Sequence, residues 1–217
     1  MKTAVLFGDS ITAGALVQEN ERYMVHLEKA FPDIQFVNKG VPGHTSSQGR
    51  ERFETDVMEL SPDLCVIFFG MNDTACDAGV NMPKVTPEQY EANLQHFVSS
   101  LQSIGCRIVL CTIFHVIEGD EQSYYYSRHP KENFVNPPGI NGWLDLYSEI
   151  VKRAAEQYGT ELADLNESFK EYIRDGGRQE DLLISLENGG IDDGVHPTPK
   201  GHVRIAHEIS KPLRKLI

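Results

Sequence analysis

Apolar positions along this chain fall into two alternating patterns. Dense short runs occur at residues 4–7, 34–37, 64–69 and 107–113, with a weaker one at 161–165. They are punctuated by turn formers, such as Ser61-Pro62-Asp63 before the third run and Gly70 after it. Runs of this length that are apolar nearly throughout read as strands buried on both faces. Between them the apolar residues recur at helical spacing. Tyr23, Leu27, Ala30 and Phe31 share one face, and Phe53, Val57 and Leu60 follow i, i+4, i+7. The clearest helix opens at Thr86-Pro87-Glu88-Gln89. Thr86 caps it, Pro87 suits the first helical position and Gln89 completes a capping box. Its apolar face is Tyr90, Leu94, Phe97, Val98, Leu101 and Ile104, and Gly105 stops it. Another helix is expected over residues 141–158. The last follows Pro199, and Pro212 should bend or shorten it.

Buried strands alternating with amphipathic helices predict an α/β fold with a parallel sheet covered on both faces. No internal repeat or low-complexity linker interrupts the pattern, so residues 1–217 are expected to form a single domain. In such sheets ligands bind beyond the carboxyl ends of the strands. The chemistry is therefore expected just after Phe7, Val37, Phe69 and Ile113.

Composition narrows the partners. The chain carries 20 Lys+Arg against 32 Asp+Glu, a formal net charge of −12. Binding to a phosphate backbone depends on basic clusters, and the stretch from Lys211 to Lys215 is short and interrupted. Nucleic acid and anionic membrane are thus not expected partners. The four cysteines, Cys65, Cys76, Cys106 and Cys111, form no metal-ligand spacing. Three of them lie in apolar stretches, as buried thiols of a reducing compartment would. Met1 leads almost directly into the first run without a leader pattern, and the longest unbroken apolar run, 64–69, is far too short to span a membrane. The expectation is a cytoplasmic protein.

Four short motifs sit at the predicted mouth. After the first strand comes Gly8-Asp9-Ser10-Ile11-Thr12-Ala13-Gly14, which fits neither phosphate-binding glycine fingerprint. It does place a Ser on a tight strand-to-helix turn, as in other α/β hydrolases. Near the C-terminus stands Asp192-Asp193-Gly194-Val195-His196-Pro197. A Ser nucleophile needs a base, and an imidazole base needs a carboxylate to fix its tautomer. Asp193 and His196 are three apart, so a single turn brings both side chains to one side, while Asp192 is a rival for the carboxylate. Asn38-Lys39-Gly40 and Gly70-Met71-Asn72-Asp73 follow the second and third strands. A glycine N–H and an Asn amide are suitable donors to the oxyanion of acyl transfer. Each motif alone is an ordinary turn or cap; together they supply the different parts of one machine.

This set of motifs resembles the SGNH hydrolases, the GDSL-type esterases and lipases. The four family blocks are matched in order by residues 7–12, 38–40, 70–73 and 193–196, with Ile11 in place of the Leu of the eponymous motif. The resemblance implies a three-layer α/β/α sandwich, flavodoxin-like, with strand order 2-1-3-4-5. It implies Ser10 as nucleophile, His196 as base oriented by Asp193, and an oxyanion hole made by Ser10 N–H, Gly40 N–H and the Asn72 amide. No metal or organic cofactor is implied. Asp9, Asp73, His115 and Val195 are candidate substrate contacts.

The activity expected is hydrolysis of small, soluble, short-acyl carboxylic esters through an acyl-enzyme. Within the family the alternatives are a lysophospholipase, an acyl-thioesterase or a carbohydrate O-acetylesterase. Outside it stands a flavodoxin-like binding module, which the missing phosphate fingerprint disfavours. No amphipathic lid helix of the kind that binds lipid interfaces is present. The segment 114–140 is too long for a plain connection. With Phe114, His115, Tyr124, Tyr125, Tyr126, Arg128, His129 and Phe134 it reads either as a wall over the substrate pocket or as packing. The remaining histidines, His26, His96, His202 and His207, read as surface or packing residues, and His44 as a loop residue near the mouth.

Overall fold

A computed structural model describes residues 2–76, 82–119 and 129–217. Its strands are β1 (Lys2–Gly8), β2 (Ile34–Gly40), β3 (Leu64–Phe68), β4 (Arg107–Cys111) and β5 (Glu161–Ala163). They form one sheet in the order β2-β1-β3-β4-β5, and every pairing is parallel. All five runs seen in the sequence are strands, in the expected flavodoxin-like order.

The helices are α1 (Ser10–Ala13), α2 (Tyr23–Ala30), α3 (Ser46–Asp56), α4 (Pro87–Ser103), α5 (Gly139–Tyr158), α6 (Leu165–Arg174), α7 (Gln179–Leu182), α8 (Leu186–Gly189) and α9 (Pro199–Leu216). They cover both faces of the sheet: α3, α4 and α5 pack in succession on one side, while α9 packs on α2, α6 and α7 on the other. Burial on both faces explains why residues 4–7 of β1 and all of β3 are apolar and essentially inaccessible. Under α3 and α4 the rings of Phe7, Phe53, Phe69 and Phe97 interlock at centroid separations of 4.9–6.2 Å. Tilted and edge-on contacts of this kind add to the burial energy of the rings.

Several boundaries differ from the sequence reading. β2 does not stop at Val37. Its pairing with β1 continues to Gly8↔Gly40, so Asn38, Lys39 and Gly40 belong to the strand. β5 ends at Ala163 rather than Leu165, because the Asp164 side chain accepts from Glu167 N and starts α6. Thr86 caps α4 as expected, with its hydroxyl accepting from Gln89 N, but the Gln89 amide reaches forward to Asn93 instead of closing a capping box. Pro212 does not shorten α9, which runs to Leu216. The proline forgoes one backbone bond, and the burial of Pro212 and Leu213 in the core offsets that loss.

Candidate active site

Ser10 is presented by an abrupt turn. β1 ends at Gly8, where a Cβ would lie 2.2 Å from Thr12 Oγ1 and 2.4 Å from Phe68 O, so only glycine permits this close approach. Asp9 caps α1, its Oδ1 accepting from Ile11 N at 2.9 Å. α1 lasts four residues and ends on Gly14 in the left-handed region, φ 73°. Ser10, its first residue, is 9% exposed.

The C-terminal loop brings the His196 ring to this hydroxyl. Asp193 Oδ2 accepts from the backbone N–H of Val195 (3.0 Å) and His196 (2.5 Å). Asp193 Oδ1 meets His196 Nδ1 at 2.8 Å, and His196 Nε2 meets Ser10 Oγ at 3.0 Å. The carboxylate on the His196 ring is therefore that of Asp193, not its rival Asp192. Burial alone would raise the Asp193 carboxyl, but the His196 ring and the two backbone donors outweigh it and hold it below the usual carboxylate range. A charged carboxylate on Nδ1 fixes the proton there and leaves Nε2 to accept from Ser10. The loop is itself anchored: Ile184 N donates to His196 O, Gly194 N to Ile184 O, and Ile117 N to Gly194 O.

Ser10, Met71, Asn72, Ala75, His129, Val195 and His196 line one pocket of about 20 Å³. Asn72 stands on the turn after β3, where Gly70 has φ +127° and packs under Ile113. Its Nδ2 donates to His44 O at 3.1 Å and to Asp9 Oδ2 at 3.3 Å. Of the expected substrate contacts, Val195 lies in this wall. Asp9 and Asp73 do not. Both are buried, and burial raises their carboxyls, Asp9 to about 7 and Asp73 to about 6. Asp73 accepts from the backbone N–H of Ser46 and from its hydroxyl, tying the β3 turn to the start of α3.

His115 also lies outside this wall. Its Nε2 pairs with Asp145 at 2.7 Å, and it lines a separate cavity of about 320 Å³ with Phe169, Lys170, Ile173, Leu182 and Leu183. Burial pulls its imidazole down despite the Asp145 bond. In the segment 114–140, Phe114 is buried and stacked on Phe169, and Phe134 is buried against Trp143. His129 is the residue of that segment that reaches the pocket wall among the described ones. Tyr124, Tyr125, Tyr126 and Arg128 lie outside the described residues.

Gly40 is engaged elsewhere. Its N–H donates to Asn38 Oδ1 at 2.9 Å, and the Asn38 amide donates to Thr12 O at 2.7 Å. A Cβ at Gly40 would lie 2.2 Å from Ala13 N, so packing against α1 explains the glycine. Three residues on, Gly43 has φ +80° with open space around it, directly before His44, whose carbonyl holds Asn72. The sequence reading does not single out Gly43. Its signal is the Pro42-Gly43 turn dipeptide beyond the second strand.

An imidazole poised on a hydroxyl, with a carboxylate behind it, is the constellation of serine acyl transfer. Comparison with known proteins agrees: a family model described as GDSL-like lipase/acylhydrolase matches residues 6–204. The chain belongs to this family. It is an ester hydrolase. The lipoprotein YqeF of Bacillus subtilis is 32% identical over 94% of this chain and 86% of its own length. An acetylxylan esterase of Geobacillus stearothermophilus is 29% identical over 93% of this chain and 89% of its own length. The crystal structure of Axe2, an acetylxylan esterase from Geobacillus stearothermophilus, superimposes with a TM-score of 0.73 at 27% identity, covering 99% of this chain and 94% of that one. Among the described residues no helix is long and apolar enough to cross a membrane.

Proposed function

We propose that this esterase removes acetyl and similarly short acyl groups from neutral, soluble esters, with sugar O-acetyl esters as the natural class. The observation that carries the reading is the size of the pocket at Ser10. As lined by the described residues it has about 20 Å³, close to the room one water needs, which fits an acetyl methyl better than an alkyl chain. A lysophospholipase would need a longer acyl cavity at this place. The Geobacillus relative's name supports the sugar ester, and the net charge of −12 favours neutral substrates over anionic ones.

In this reading His196 Nε2 takes the Ser10 proton as Oγ attacks the ester carbonyl carbon. The carbonyl electron pair moves to oxygen, which meets the Ser10 N–H, the Asn72 amide and, in place of the engaged Gly40, the N–H of Gly43. The tetrahedral intermediate collapses with loss of the alkoxide, which takes the proton from His196. Water, deprotonated by His196, then attacks the acyl-enzyme and releases the carboxylic acid. Both ends of the chain supply catalytic residues, which supports residues 1–217 acting as one domain. The buried thiols of Cys65, Cys106 and Cys111 support a cytoplasmic setting, and fractionation of the native host tests this against the membrane association that the name of the Bacillus lipoprotein suggests.

A p-nitrophenyl ester series tests the acyl preference. Each methylene that must enter a filled pocket costs about 10-fold or more in kcat/KM, so acetate should exceed octanoate by at least about 100-fold. A preference for octanoate overturns the short-acyl reading.

A further inference from the structure

The Asn72 carboxamide has two hydrogens and both are already claimed, one by His44 O and the other by Asp9 Oδ2. In the reaction proposed above, a third acceptor arrives, the oxyanion. One of the two present bonds must yield to it, and the longer is the one to Asp9, at 3.3 Å against 3.1 Å. Asp9 is itself immobile. It is 2% exposed, it caps α1, and Ile11 N holds its other oxygen at 2.9 Å. The same residue therefore fixes the turn that presents Ser10 and grips the amide that faces it across the pocket.

We propose that Asp9 is a positioning residue of the oxyanion hole: it holds the Asn72 carboxamide with its NH₂ edge toward Ser10 and releases one hydrogen to the oxyanion as charge develops. The proposal rests on the Asn72 role in the esterase reading. An acceptor at Asp9 decides which way the carboxamide faces, because a flipped Asn72 would set its own oxygen against the carboxylate. Burial supports an easy release. It lifts the Asp9 carboxyl to about 7, and Asp73 adds to the rise while Ile11 N–H and the His196 charge oppose it. Near neutral pH a part of the molecules thus carries an uncharged Asp9, which does not repel a nearby oxyanion. The ionisable groups facing Asp9 are Asp73 on the β3 turn, His196 on the C-terminal loop, Tyr23 on α2 and Tyr90 on α4.

The test is a double-mutant cycle in the full chain between Asp9→Asn and Asn72→Ala. In Asp9→Asn the oxygen of the introduced carboxamide can still accept from Ile11 N, so the cap survives, but its NH₂ faces the Asn72 NH₂ and turns it away. Asp9→Asn should lower kcat about 10- to 100-fold and leave KM within about twofold. Because Asp9 acts through Asn72, it should cost little further in the Asn72→Ala background. Wild-type kcat in Asp9→Asn, or full additivity with Asn72→Ala, overturns the proposal. If Asp9→Asn does not fold, the wild type decides by NMR. When a boronic acid forms its adduct on Ser10 and supplies the oxyanion, the Asn72 side-chain amide ¹H resonances should shift as one hydrogen leaves Asp9 for it; unchanged Asn72 side-chain resonances overturn the proposal. Wild-type kcat in Asn72→Ala would instead remove the oxyanion reading, and with it the premise.

Discussion

Two backbone N–H groups, those of Val195 and His196, hold one oxygen of Asp193, and the other is left for the imidazole. This division makes Asp193→Asn informative. The oxygen of the introduced carboxamide must stay with the two backbone donors, so its NH₂ faces His196 Nδ1 and drives the ring to the wrong tautomer. A loss of about 10⁴-fold in kcat is expected, with thermal stability near that of the wild type; a loss under tenfold contradicts the assigned role. At this scale the sequence was informative where a residue's partner is close in the chain. Asp193 and His196 are one turn apart, and the pairing could be read from spacing. Asp9, Asp73, His115 and Gly40 were harder, because their partners are Asn72, Ser46, Asp145 and the backbone of α1. No local spacing shows that a carboxylate will be consumed by a residue dozens of positions away.

Element boundaries show the same division between local and long-range causes. Thr86 and Pro87 announce α4, and the helix starts there. α6 was invisible as a helix because residues 161–165 read as strand and the following segment is mostly polar. What creates it is the Asp164 cap and the burial of Leu165 and Phe169 at i, i+4. β2 outran its apolar run because ladder bonds to β1 hold Asn38 to Gly40 regardless of their polarity. The packing of β2 against α1 yields a prediction at this scale. In Gly40→Ala the new Cβ would meet Ala13 N at 2.2 Å and Asp9 O at 2.7 Å, both backbone atoms that cannot swing aside. Overpacking of this kind costs about 1–3 kcal/mol, visible as a lowered urea midpoint. A variant with unchanged stability but depressed kcat would instead return Gly40 to the oxyanion hole.

Across the whole molecule, a parallel sheet gathers motifs from both ends of the chain at one edge; the apolar runs made the strands legible, while their order 2-1-3-4-5 followed only from the resemblance to the family. Less visible were the titratable groups that this packing buries. His202 is fully inaccessible, with Nδ1 accepting from Tyr23 N and its ring stacked on Tyr23. Burial holds its imidazole down to about 3, against 6.5 in an open chain. Its contribution to stability is therefore complete above pH 6.5 and is lost as the pH falls toward 3, by about 1.4 kcal/mol per pH unit. Asp9 and Asp73 carry the opposite sign. Their folded values near 7 and 6 lie above 3.8, so their contribution is complete below 3.8 and lost as the pH rises through 6 to 7. The two trends offset each other in mildly acidic solution, and His202→Phe should unmask the carboxylates. Relative to the wild type its stability should rise as the pH is lowered from 6.5 to 4.5 in urea titrations; parallel curves contradict this account of His202. Above all the sheet converges on one hydroxyl, and the most direct test is to react the intact protein with a fluorophosphonate and read the adduct by peptide mass spectrometry. One adduct on Ser10, complete loss of p-nitrophenyl acetate turnover, and neither labelling nor turnover in Ser10→Ala are the predicted results. Labelling at another residue, or turnover retained by Ser10→Ala, would contradict the account.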